Sequence, residues 1–144
     1  MAETQNLKNH GRVVPVYHIG VFFSLVANFF WAIYRLTQGV SGESIVGLIL
    51  ATALLLMFFS IRAQILRVQD RVIRLEMRLR LAEVLPADMR AHIPTLTVPQ
   101  LIGLRFASDA ELPSLVRDVV AGKFKTTKDI KMQVKNWQGD FQRA

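Results

Sequence analysis

The run at residues 44–61, SIVGLILATALLLMFFSI, constrains this chain most, because it contains no charged side chain. A helix of this run is ~27 Å long, close to the hydrocarbon thickness of a bilayer. A soluble helix of that length needs a polar face. Here the polar side chains are Ser44, Thr52 and Ser60, small hydroxyls that can bond back to helix carbonyls. The run reads as a membrane span.

A second uncharged run, IGVFFSLVANFFWAIY, occupies residues 19–34 and extends to a span at 16–36. Tyr17, His18, Trp31 and Tyr34 flank it as an aromatic belt would, and Pro15 suits a first helical turn. Asn28 lies near its middle. The segment between the spans, TQGVSGE at 37–43, holds two glycines and predicts a tight turn, so the spans form an antiparallel hairpin. Lys8 and Arg12 ahead of an apolar run also suit a secretory signal, but the run is long for one, rich in Phe and Trp, and followed directly by Arg35. An uncleaved span is the better reading.

Charge sets the orientation. Arg62, Arg67, Arg71, Arg74, Arg78 and Arg80 follow the second span, against Asp70 and Glu76, whereas the turn carries only Glu43 with Arg35 at its edge. The positive-inside rule places both termini in the cytoplasm and the turn outside. The chain has 18 basic and 11 acidic residues. Lys123, Lys125, Lys128, Lys131 and Lys135 make a second basic cluster. Such charge attracts anionic headgroups or nucleic acid. Arginines beside a span mainly fix topology and touch lipid, and no nucleic-acid motif is present, so nucleic acid is disfavoured. Arg62, Arg67, Arg71, Arg74, Lys128, Lys131 and Lys135 are the candidate contacts to anionic lipid.

No Gly or Pro interrupts residues 62–84, so the second span is predicted to continue as a basic amphipathic helix. Ile65, Val68, Val72, Leu75, Leu79 and Ala82 follow the 3-4 spacing of a coiled-coil seam, with Asp70–Arg74 and Glu76–Arg80 as flanking i,i+4 pairs. An apolar seam needs a cover: the rest of this chain, a second copy or another protein. Val68, Val72, Leu75 and Leu79 are therefore candidate interaction residues.

Residues 85–97, with two prolines, read as a connector. Residues 98–144 read as a small helical module. Thr97 before Val98 and Pro99 starts a short helix. Ser108 to Glu111 matches a capping box with Phe106 as a staple, and Gly122 is placed to stop the helix it opens. Pro113, just inside that helix, is expected to remove a backbone bond. Thr126 or Thr127 caps a last helix expected to reach Gln142, with Ile130, Val134, Trp137 and Phe141 on one face. Trp137 and Phe141 are the remaining candidate interaction residues, with packing in the core as the simpler role. About fifty residues make a marginal core, so the module is expected to borrow the arginine-rich helix or a partner.

Chemistry is hard to find. His10, His18 and His92 offer no metal cluster by spacing. His18 at a membrane rim could ligate a haem or pigment, but no second axial ligand lies in the spans, and a headgroup-level role is the better reading. There is no phosphate-binding glycine loop and no nucleophile–base set. No cofactor and no metal are expected. Asn28 and Ser24 are placed to bond the other span where Gly47, Ala51 and Ala53 allow close approach.

The N-terminal residues Gln5, Asn6, Asn9, His10, Arg12, Pro15, Tyr17 and His18 form one pattern. The segment from Leu104 to Asp109, with Glu111, Leu112, Pro113, Ile130, Lys131, Lys135, Asn136 and Trp137, forms a second. Together these resemble an uncharacterised family of small two-span bacterial inner-membrane proteins. The resemblance implies a bacterial inner-membrane location and supplies no activity. It also suggests that Asn6, Asn9, His10 and Arg12 fold back onto headgroups or cytoplasmic helices. The expected fold is all-α: a polar segment at 1–15, a transmembrane hairpin at 16–61, a cytoplasmic helical extension at 62–84, and a helical module. The expected role is a non-enzymatic membrane scaffold or accessory protein, homo-oligomeric or part of a larger membrane complex. The alternatives are a small subunit of an energy-transducing or transport complex and, more weakly, a tether for anionic lipid or nucleic acid.

Overall fold

The structure is a computed structural model that describes residues 14–139. The expectations attached to Asn6, Lys8, Asn9, His10, Arg12, Phe141 and Gln142 fall outside the described residues. Within them every regular element is helical, with one isolated bridge between Ala107 and Trp137. The chain divides at residues 66 and 67 into two compact units.

The first unit is a helical hairpin. A π-helical turn, Val16–Val21, leads into α1, Phe22–Gln38, and α2, Gly42–Val84, begins after three intervening residues. The expected turn at 37–43 thus shrinks to residues 39–41. Ser41 caps α2: its hydroxyl accepts from Ser44 N (3.1 Å), while Ser44 Oγ accepts from Ser41 N (2.9 Å). This reciprocal pair satisfies donors that a helix start leaves open. At the other end of the hairpin Tyr17 stacks on Phe58 with ring centroids 4.4 Å apart, and its hydroxyl donates to the Phe58 carbonyl (2.9 Å). Small residues line the contact: Ala32, Ser44 and Ala51 are buried. Gly47 and Ala53 are exposed, with open space where a Gly47 Cβ would stand. Ser24 does not reach across, because its hydroxyl returns to the Gly20 carbonyl (2.8 Å), and Asn28 is exposed.

The second unit is built on residues 67–84 of α2. Pro86 lacks the N–H that would continue the helix. A 3-10 helix, Arg90–Thr95, follows, then α3 (Val98–Leu104), α4 (Leu112–Val120) and α5 (Thr127–Gln133). The segment read as a connector is part of the core, since Leu85, Met89, Ile93 and Leu96 are buried with α2, α3 and α4. Thr97 N donates to Gln100 Oε1 (2.8 Å) at the start of α3. Pro113 is the second residue of α4, where an N–H has no helical partner anyway, so it costs no hydrogen bond. Gly122 at φ +72° closes α4: its N–H donates to Val119 O and that of Lys123 to Asp118 O. This pair of bonds is a Schellman cap, which favours glycine because of the left-handed backbone.

Thr126 and Asp129 cap α5 reciprocally (Asp129 N to Thr126 Oγ1 3.2 Å, Thr126 N to Asp129 Oδ2 2.9 Å). The amide and hydroxyl of Thr126 hold the Asp129 carboxyl below its ordinary range. The helix then stops at Gln133, well short of Gln142. Val134 is extended, and Trp137 reaches the core from a bridge to Ala107, reinforced by Gln138 N donating to Phe106 O (2.7 Å). Trp137 therefore does not share a helical face with Ile130.

Candidate functional site

Two apolar stripes run along α2 within the second unit. Ile73, Met77 and Leu81, spaced by four, point into the module and are at most 4% exposed, and Leu85 continues the row. Rows spaced by four are the ridges that helices commonly pack with. The predicted seam lies on the opposite side of the helix: Val68, Val72, Leu75 and Leu79 are 59%, 47%, 62% and 61% exposed. Cover by the module is ruled out for these four. The module does borrow the arginine-rich helix, but by the other stripe. Sequence spacing singled out the row that stays exposed and missed the row at Ile73, Met77 and Leu81 that the module takes.

Charge divides the flanks of the exposed stripe. Arg71, Arg74 and Arg78 lie along one side and, with Val68, Val72 and Leu75, line a shallow groove. Glu76 and Glu83 lie along the other and are exposed. Arg80 has a structural task. It bonds Asp109 Oδ1 (2.7 Å), Ala107 O (2.7 Å) and Arg105 O (3.1 Å), tying the α3–α4 loop to α2. The expected Glu76–Arg80 pairing gives way to this clamp, and Asp109 serves it rather than a helix cap.

The other candidates separate. Arg67, Arg71, Arg74, Lys128 and Lys135 are exposed and Arg62 is half-buried. Lys131 Nζ stands 5.0 Å above the Phe106 ring, so this lysine is held against the core. Trp137 is half-buried, its ring 4.8 Å from that of Phe106. His18 Nδ1 lies 3.1 Å from the Val14 carbonyl, His92 is exposed, and the described residues contain no cluster of three or more metal-ligating side chains.

Sequence reading underrated Glu111. Its Oε2 accepts from Ser108 Oγ (3.1 Å) and Ser108 N (3.4 Å), but the expected capping box is not completed, because Glu111 N donates to the Ser108 carbonyl and Glu111 itself is the N-cap residue of α4. Its Oε1 accepts from the backbone of Lys135 (3.1 Å) and Asn136 (3.2 Å). One carboxylate thus ties the start of α4 to the chain that follows α5. Burial pushes its pKa up, yet the amides of Asn136 and Lys135 and the Ser108 contacts outweigh it, and the group sits below the ordinary glutamate value. Nothing in local spacing foretells a bond across 24 residues.

The chain finds no match among curated proteins or solved structures. A protein family does match it over its whole length, residues 1–144. The protein belongs to the family of unknown function DUF6526.

Proposed function

We propose that the protein is a non-enzymatic integral membrane scaffold or accessory protein. Its hairpin crosses the bacterial inner membrane, and its helical module sits at the cytoplasmic face. The observation that carries this reading is the direction of the apolar side chains. Val16–Gln38 and the apolar part of α2 are long and apolar enough to cross a membrane. Phe23, Phe30, Trp31, Val46, Ile49 and Leu56 on them are all more than half exposed. A core helix of a soluble protein buries such side chains; an unbroken apolar surface of this size calls for lipid or a partner.

Arginine excess after the second span supports cytoplasmic termini. Arg62, Arg67, Arg71, Arg74, Lys128 and Lys135 are available for anionic headgroups, each worth about 1 kcal/mol near such a surface. The polar contacts of Arg80 and Glu111 bind the module's loops together, which fits a structural role.

Alkaline carbonate washing of membranes, then mild-detergent extraction and a native gel with mass spectrometry, tests the proposal. The scaffold reading expects retention through the wash and a small discrete species containing this chain alone. A large assembly of other chains favours the accessory-subunit reading. Release by carbonate overturns both.

A further inference from the structure

The stripe that the module leaves outside is flanked in a way that selects its own partner. In heptad terms Ile65, Val72 and Leu79 are a positions, and Val68, Leu75 and Ala82 are d positions. The g positions are then Gln64, Arg71 and Arg78, and the e positions Gln69, Glu76 and Glu83. In a parallel pair, g of one chain faces the e residue five places further along the other. Every such pair is complementary here: Gln64 with Gln69, Arg71 with Glu76, and Arg78 with Glu83. An antiparallel pair sets g against g and e against e, arginine beside arginine and glutamate beside glutamate. Within one helix Arg71 and Glu76 lie on opposite flanks and cannot satisfy each other, since only i,i+3 and i,i+4 neighbours meet. We propose that α2 pairs with α2 of a second copy of this chain along Val68, Val72, Leu75 and Leu79, as a parallel, in-register, two-stranded coiled coil.

Two further observations point the same way. Val72 at a with Leu75 at d is the combination that favours two strands over three or four. The helix is also already held by the module on its opposite side through Ile73, Met77 and Leu81. Pairing orders no new backbone, which removes the main cost for so short a seam. If the membrane reading holds, two copies in one bilayer share an orientation, which imposes the parallel arrangement and raises the local concentration.

The chain has no cysteine, so single cysteines report the pairing in the full-length protein. Leu75→Cys and Arg74→Cys variants are oxidised in isolated membranes and run without reductant. Leu75→Cys is expected to give a self-dimer and Arg74→Cys, one residue off the seam, little or none. Adding Arg71→Glu or Glu76→Arg to Leu75→Cys is expected to lower the dimer yield severalfold, and adding both to restore it. All four positions are exposed, so the fold is untouched. Equal cross-linking at Arg74→Cys, failure of the double reversal to restore, or a cross-link to a different polypeptide overturns the proposal. A carbonate wash of the same membranes keeps the two readings apart. A restored dimer in a chain that washes off leaves the pairing standing without the membrane, and a retained chain found only as monomer does the reverse.

Discussion

At the scale of single residues, close approach and one carboxylate decide the module. A Cβ added at Gly103 would stand 2.9 Å from Ile130 Cβ, where α3 meets α5. Gly103→Ala is therefore expected to destabilise the unit by about 1–3 kcal/mol, the usual cost of overpacking. A thermal or denaturant midpoint equal to the parent's would show that α5 moves aside freely. Glu111 gives a pH dependence. Its folded pKa is lowered, so its contribution is fully present above the unfolded glutamate value and is lost as pH falls through the folded one. Glu111→Gln should lower stability near neutral pH and make the acid side of the stability profile shallower, read by unfolding midpoints across pH. An unchanged acid slope would show that the charge on Glu111 does not order residues 135–136. The cap residues Thr97, Gly122 and Thr126 were legible because caps act within a few positions. The long-range roles of Glu111 and Asp109 were not, because they are set by what the fold brings near.

At the scale of elements, α2 is one helix with two apolar faces and different consequences for each. Leu81→Ala empties a fully buried position and should cost ~2–5 kcal/mol, melting the module. Leu75→Ala sits on the exposed face and should change the stability of dilute, monomeric protein by less than about 0.5 kcal/mol, while weakening self-association. Unfolding and cross-linking measured on both variants separate the faces; a large loss of monomer stability from Leu75→Ala would reverse the assignment. Periodicity revealed the seam at Val68, Val72, Leu75 and Leu79 and the apolar character of the helix. It did not pick out Ile73, Met77 and Leu81, because which side of the helix is buried depends on the shape of the module that docks. The same limit explains the last helix. Ile130, Val134 and Trp137 keep helical spacing, yet the helix ends at Gln133 and the amides of Lys135 and Asn136 donate to Glu111, a partner that spacing does not reveal.

At the scale of the whole molecule, one chain carries a hairpin with outward apolar side chains and a module whose loops are held by Arg80 and Glu111. The charge-free run at 44–61 made the hairpin legible, since it is long and apolar enough to cross a membrane. The job of the protein is less legible, because no catalytic pattern stands in the sequence and the exposed seam describes a contact, not a reaction. The proposed topology has the chain cross the membrane twice with both ends inside. Its most direct measurement uses single cysteines at Gly39 and Lys128, probed with a membrane-impermeant maleimide in intact spheroplasts and after lysis. The account predicts that Gly39→Cys labels in intact spheroplasts and Lys128→Cys only after lysis. Labelling of Lys128→Cys from outside, or protection of Gly39→Cys until lysis, would contradict it.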